Sequence, residues 1–349
     1  MDASLPPTPQ QRSGEAGSLA QEGSARDAKG NDAVRGRVPD FFIVGHQKSG
    51  TTALWEMLRR HPQIFMPRIK EPRYFAFDMR SPIQEPSVLY RQTFEGYQRL
   101  FAGAQPAQLV GDGSPQYLRS HVAAGEIARV QPGARIIAIL REPASLLRSL
   151  HLQFVETYIE TELDFATALA LEDERRAGRA LPRNAYWPRA LAYSEHARYV
   201  QQLRRYRDAF GEERVLVLVY DDFRDDNDAT VRRVLRFLGV DDEVTLDPVV
   251  ANPTVHVRAQ RLHKLLRTLT VSRGPGMRAL RTAVKAVTPR ALRYRMVETA
   301  KRRVVYGEAQ PADDAVMAEL RRRFAPEVAA LSEYLGRDLT RLWGYDRIA

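Results

Sequence analysis

The passage from Phe41 to Leu58 constrains the fold more than any other part of the chain. Four apolar residues, Phe41-Phe42-Ile43-Val44, run into Gly45-His46-Gln47-Lys48-Ser49-Gly50-Thr51-Thr52. Ala53-Leu54-Trp55-Glu56-Met57-Leu58 then follows with helical spacing. A buried strand, a glycine-bounded turn and an amphipathic helix in that order predict an α/β unit. Such a turn presents the backbone N–H groups of residues 48–52 to an anion at the positive end of the helix. Gly45 and Gly50 permit close backbone approach, Thr51 and Thr52 add hydroxyl donors, and Lys48 adds a point charge. In the phosphate loop of ATPases the lysine follows the second glycine, whereas here Lys48 precedes Gly50 by two residues. A lysine at the front of the loop suits charge developing on the oxygen between a phosphate and a departing group. The same pattern also describes a plain strand-loop-helix whose lysine and threonines only cap the helix.

The rest of the chain extends this unit. Short β-branched or aromatic runs recur at Gln108–Gly111, Arg135–Leu140 and Arg214–Tyr220. Between them, helical periodicity marks Thr51–Arg60, Ser120–Val130, Ala144–Glu156, Tyr193–Phe210 and Thr230–Leu238. Strands alternating with helices predict a parallel sheet covered on both faces, a three-layer α/β sandwich. Ligands of such folds collect beyond the carboxyl ends of the strands. Past Asn252 the pattern changes: segments at 258–270, 277–287 and 289–304 read as basic amphipathic helices, with no strand among them. A last helix at about 312–335 is closed by Gly336.

Charge divides the chain further. Residues 1–37 hold five basic and five acidic side chains in a Gly-, Ser- and Pro-rich stretch without periodicity, which predicts a disordered tail. Residues 256–304 hold fourteen Lys or Arg against the single Glu298, so a local balance of +13 accounts for the chain's net +10. That segment suits a lid over an anionic cofactor, an acidic acceptor or an anionic membrane surface. It equally suits the solvated face of ordinary helices. Its basic residues are not interleaved with aromatics, which argues against nucleic acid. The chain has no cysteine, which excludes disulfides, zinc-thiolate sites and cysteine nucleophiles. The absence of an apolar leader in these residues adds an expectation of the cytoplasm.

Two further motifs carry chemistry. Arg141, at the carboxyl end of a predicted strand, is followed by Glu142-Pro143 and a helix bearing Ser149. A strand-end guanidinium and a helical hydroxyl can converge on one phosphate. Taken alone, Arg141 is an ordinary capping or ion-pairing residue. Glu71, in Lys70-Glu71-Pro72-Arg73-Tyr74-Phe75, is a candidate general base beside the first helix. Lys70 lowers its pKa and burial raises it, so the sign of the balance is open at this stage.

Together these elements resemble the sulfotransferases that use 3′-phosphoadenosine 5′-phosphosulfate (PAPS), and most of all their bacterial and glycan branch, related to heparan sulfate sulfotransferases. GHQKSGTT, KEPRYF, GDGSPQYL at 111–118, LREPASLLRS at 140–149, YSEHARYVQQLRRY at 193–206 and VLVLVYDDF at 215–223 stand in the family's order. The likeness spans about residues 40–245 and extends weakly through Leu331–Thr340. It implies a P-loop-like sandwich with a C-terminal helical extension: a tail at 1–37, a core at 38–255 and a basic helical segment with a closing helix at 256–349. It implies that Lys48 contacts the phosphosulfate bridge, helped by Ser49, Gly50, Thr51 and Thr52, and that Arg141 and Ser149 bind the 3′-phosphate. Glu71 would be the base for in-line attack, and Tyr193 would help hold the nucleotide. Arg258, Arg261 or Lys264 would lie close enough to reach the 3′-phosphate. No metal is implied, because a sulfuryl group carries less charge than a phosphoryl group. The implied acceptor is a carbohydrate, glycolipid or natural product, held by loops around 73–105 and 155–190 that include Tyr74, Phe75, Tyr186 and Trp187. Two positions depart from the branch. Gly113 stands where some glycan enzymes have a lysine, and Leu150 rather than a histidine follows Ser149, which leaves His151 and His46 as candidate acceptor contacts. The rivals are a P-loop small-molecule kinase and a non-catalytic module binding nucleotide or membrane.

Overall fold

A computed structural model describes residues 37–79, 93–157, 159–182, 188–247, 255–257, 306–308 and 313–348. Strand β1 (Phe41–Ile43) leads through the glycine-bounded turn to α1 (Thr51–Leu58), β2 (Ile64–Phe65) and α2 (Phe94–Gln98). Then come β3 (Leu109–Gly113), α3 (Ala123–Val130), β4 (Arg135–Leu140) and α4 (Pro143–Thr157). The short helices α5 (Phe165–Ala170) and α6 (Glu172–Arg176) precede α7 (Tyr199–Phe210) and β5 (Val215–Val219). Helices α8 (Tyr220–Asp225) and α9 (Asn227–Leu238) complete this part.

The five strands form one parallel sheet in the order β2-β3-β1-β4-β5. Alternation along the strands feeds two cores. Phe42, Ile136, Ala138 and Leu140 face one cluster with side chains of α3, α4 and α7, while Phe41, Ile43, Ile137 and Ile139 face another with α1 and α9. A sheet apolar on both faces must be covered on both, which gives the three layers. From β1 the chain passes to β2 and β3 on one side, and from β4 to β5 on the other. Ligands collect at such a reversal point, here the carboxyl ends of β1 and β4.

Several expected boundaries move: α3 begins at Ala123 rather than Ser120, and α9 at Asn227 rather than Thr230. Strand β3 runs to Gly113 rather than Gly111, because Asp112 and Gly113 stay in register with Phe42 and Ile43. A charged residue hid that extension in the sequence. The expected helix at Tyr193–Phe210 is split: Tyr193–Ala197 is 3₁₀, Arg198 breaks it with ψ 62°, and α7 begins at Tyr199.

Towards the C-terminal end, β6 (Val255–Val257) pairs antiparallel with β7 (Tyr306–Glu308) and lies against α4. Residues 258–305, including Arg258, Arg261 and Lys264, lie outside the described residues, as do the tail to 36 and Tyr186 and Trp187. Helix α10 (Asp314–Leu335) buries Leu320, Phe324, Val328 and Leu331 in the first core and ends at left-handed Gly336, as its sequence predicts. The short α11 (Leu339–Leu342) follows. Among the described residues no helix is long and apolar enough to cross a membrane.

Candidate active site

The loop after β1 is held open by its own backbone. Val44 N–H donates to Ile137 O at 2.9 Å and His46 N–H to Ile139 O at 2.8 Å, so pairing with β4 continues past the assigned strand. Lys48 (φ 62°) and Gly50 (φ 86°) then take left-handed conformations that turn the chain into α1. Gly50 cannot be replaced cheaply, since a Cβ there would sit 2.9 Å from the Phe223 ring. Successive N–H groups in such a turn form an anion cradle at the start of an eight-residue helix. Ser49 Oγ is buried in this turn and has no hydrogen-bond partner among the described residues. A buried, unsatisfied hydroxyl is costly unless a ligand completes it. The cradle therefore fits a phosphate-bearing group.

Arg141 reaches the same loop from β4, where its Nη1 donates to Lys48 O at 2.8 Å. The Tyr220 ring supports the guanidinium at 4.9 Å, and Tyr199 OH donates to Arg141 O at 2.7 Å. Beyond Arg141, the Glu142 carboxylate accepts from Ala144 N (3.0 Å) and Ser145 N (2.7 Å), capping the first turn of α4. The helix so fixed carries buried Ser149. Burial pushes the Lys48 ammonium below its ordinary pKa, the Glu156 carboxylate on α4 opposes that, and Arg141 adds to it.

Glu71 is also at a backbone turn. It has φ 61° and Arg73 has φ 55°, with Pro72 between them. Its carboxylate pairs with Lys70, with Arg73 Nη2 at 2.7 Å and with Gln116 Nε2 at 2.9 Å. Burial raises its pKa, but Lys70, Arg73 and Gln116 outweigh that and hold it at about 2. Gln116 belongs to the turn Pro115–Leu118, whose Leu118 N–H donates to Val44 O at 2.8 Å beside Gly45. One short turn thus links the Glu71 carboxylate to the anion loop.

Lys48, Ser49, Gly50, Thr51, Thr52 and Arg141 come together around one loop, with Ser149 on α4, the helix that follows Arg141. Tyr193 does not join them. Its ring is fully buried and its hydroxyl donates to Glu160 at 3.1 Å, where Glu160 also holds Arg175 at 2.7 Å. From that segment the residue at the site is Tyr199, which nothing in its spacing marked. His46 and His151 are buried and partnered by Gln202 Oε1 (2.8 Å) and Glu162 O (3.0 Å). Burial lowers both pKa values, His46 to about 4. The place of a lysine at 113 is filled by Trp55, since a Cβ on Gly113 would lie 2.7 Å from Trp55 Cδ1.

Comparison with known proteins bears on the family and the fold. Residues 38–273 match the family described as sulfotransferase domain. The solved sulfotransferase from Alicyclobacillus acidocaldarius aligns with a TM-score of 0.61 at 26% identity, covering 88% of this chain and 99% of that one. The membrane-associated sulfotransferase kil1 of Dictyostelium discoideum is 32% identical over 106 residues, 30% of this chain and 21% of that protein. Carbohydrate sulfotransferase 15 of Mus musculus is 26% identical over 255 residues, 58% of this chain and 44% of that protein. The chain spans less than half the length of these two curated relatives.

Proposed function

The chain belongs to the sulfotransferase domain family, and on that premise we propose that it transfers a sulfuryl group from PAPS to a saccharide hydroxyl. The observation that carries this reading is the bond from Arg141 to Lys48 O, which couples two anion-binding elements as a donor with phosphates at both ends requires. Lys48, Ser49, Gly50, Thr51 and Thr52 would hold the 5′ end, and Arg141 and Ser149 the 3′-phosphate. The unpartnered Ser49 Oγ supports the first assignment. The names of carbohydrate and heparan sulfate relatives support a saccharide acceptor.

The donor supplies an activated sulfuryl group, so the protein's task is positioning and charge stabilisation. Lys48 neutralises charge on the departing phosphate oxygen, and Arg141 keeps the lysine's carbonyl turned away from the anion. Glu71 receives the proton of the acceptor hydroxyl. A carboxylate held at about 2 is a weak base. The acceptor O–H, however, becomes strongly acidic as its oxygen bonds to sulfur, so a late transfer to a weak base suffices.

Calorimetric titration with adenosine 3′,5′-bisphosphate (PAP), beside ATP with magnesium, tests the reading. Preference for PAP is expected; preference for ATP would favour a kinase. Tight PAP binding without sulfuryl transfer to any of a panel of unsulfated glycans would leave a binding module.

A further inference from the structure

The motif Gly111–Leu118 meets the anion loop through Leu118, and it holds a set of buried polar residues. Asp112 is fully buried inside the sheet layer. Its Oδ2 accepts from Tyr97 OH at 2.8 Å and Tyr117 OH at 2.9 Å, and its Oδ1 accepts from Ser114 Oγ at 2.7 Å. Two of these donors are themselves acceptors for the segment that carries Glu71. Arg73 N–H donates to Ser114 Oγ at 3.0 Å, and Phe75 N–H donates to Tyr117 OH at 3.4 Å. From the same short turn, Gln116 donates to the Glu71 carboxylate itself.

We propose that Asp112 is the positioning residue for Glu71: it orients Ser114 and Tyr117 so that their oxygens hold the backbone at Arg73 and Phe75. The claim rests on the proposed role of Glu71. A hydroxyl that donates to a carboxylate has its lone pairs turned toward the incoming N–H groups. Without Asp112 both hydroxyls are free to rotate, and the two N–H acceptors lose their fixed direction. The backbone they anchor is unusual. Glu71 and Arg73 both have positive φ, a conformation that non-glycine residues keep only where the surroundings impose it. Released, the turn would relax and draw Arg73 and Gln116 away from the carboxylate. A buried carboxyl group needs donors wherever it sits, but here two of its three donors, Ser114 and Tyr117, also accept from the backbone of the turn that carries Glu71.

The test uses the full chain carrying Asp112→Asn, with ¹³C-labelled glutamate and the Glu71 carboxyl signal assigned by its loss in Glu71→Gln. Burial raises the Asp112 pKa to about 6, so in the unsubstituted protein the Glu71 signal should stay flat until Asp112 takes up its proton and should shift with that step. In Asp112→Asn that step should be gone, and the Glu71 carboxyl should titrate in the ordinary glutamate range of about 4 to 5, because the clamps have moved. PAP affinity should stay within about 2-fold, since the anion loop is untouched. Release of PAP from PAPS with water as acceptor should fall by about 10- to 100-fold, the cost of misplacing a reacting group. It should fall no further when Asp112→Asn is added to Glu71→Gln. A Glu71 signal that stays flat in the folded variant would overturn the proposal and leave Asp112 as core polarity. Should Asp112→Asn not fold, Ser114→Ala breaks the same path with a smaller loss and is read in the same way. Undiminished PAP release in Glu71→Gln would instead remove Glu71 as the base, while the carboxyl titration still decides the place of Asp112.

Discussion

Arg141 Nη1 donates to the backbone carbonyl of Lys48 at 2.8 Å, joining the end of β4 to the turn after β1 across 93 residues of sequence. A carbonyl dipole left pointing into an anion site would repel its ligand. The guanidinium removes that repulsion, adds a positive charge, and fixes a lysine whose φ of 62° is itself unfavourable. Arg141→Met should therefore weaken PAP binding twice over, through lost charge and through a looser loop. Hydrogen bonds to charged groups contribute about 1.5–3 kcal/mol each. A rise in Kd of roughly 10- to 100-fold is the expected calorimetric result. Arg141→Lys should recover only part of it, because an ammonium cannot keep both the carbonyl and a phosphate in one planar fork. Equal affinity in Arg141→Met would place the 3′-phosphate elsewhere.

Lys48 adds a pH dependence whose sign is set. Burial lowers its pKa and the Glu156 carboxylate partly restores it. The protonated amine binds the anion, so PAP affinity should fall as pH rises through the depressed Lys48 pKa. Glu156→Gln removes the supporting charge, and the fall should then begin at a lower pH. At neutral pH the same substitution should leave binding unchanged or slightly tighter, because a carboxylate near an anion has gone. Kd values across an alkaline pH series in the two proteins measure this. Coincident curves would show that Glu156 does not act on Lys48.

How far the sequence could be read depends on whether neighbours in space were also neighbours along the chain. The anion loop was legible because every part of it lies between Val44 and Thr52, in the order the backbone needs. Four strand cores were legible from their apolar runs, but two-residue β2 is too short for any period to appear, and Asp112 disguised the end of β3. The balance on Glu71 was open in the sequence because it depends on Gln116, 45 residues away, as well as on the adjacent lysine. Tyr193 and Tyr199 look alike in sequence. Only the break at Arg198 turns Tyr199 toward Arg141 and leaves Tyr193 on the buried Glu160–Arg175 pair.

Gly113 offers a test of packing at the site's edge. A Cβ at this position would lie 2.7 Å from Trp55 Cδ1, and Trp55 is buried between α1 and the sheet. A rigid indole in a filled core has little room to give, so Gly113→Ala should cost about 1–3 kcal/mol. Urea denaturation measures the loss. Trp55→Leu would carry its own cavity penalty, but the double substitution should cost less than the sum of the two, since the clash needs both side chains. Strict additivity would mean that the two positions do not meet.

The charge state of Glu71 predicts how stability changes with acid. Its folded pKa is about 2 against an ordinary 4.5, because Lys70, Arg73 and Gln116 together outweigh the opposing effect of burial. A carboxyl with a depressed folded pKa stabilises the protein above its unfolded pKa, and that contribution is lost as pH falls from about 4.5 toward about 2. The shift corresponds to a contribution on the order of 3 kcal/mol at neutral pH. Glu71→Gln should lower stability near neutrality and flatten the acid limb, so that the two stability curves converge as pH falls. Urea denaturation at a series of acidic pH values measures both. Parallel curves would mean that Lys70 and Arg73 do not stabilise the carboxylate in solution, and that Glu71 meets an acceptor with ordinary basicity rather than as a clamped, weak base.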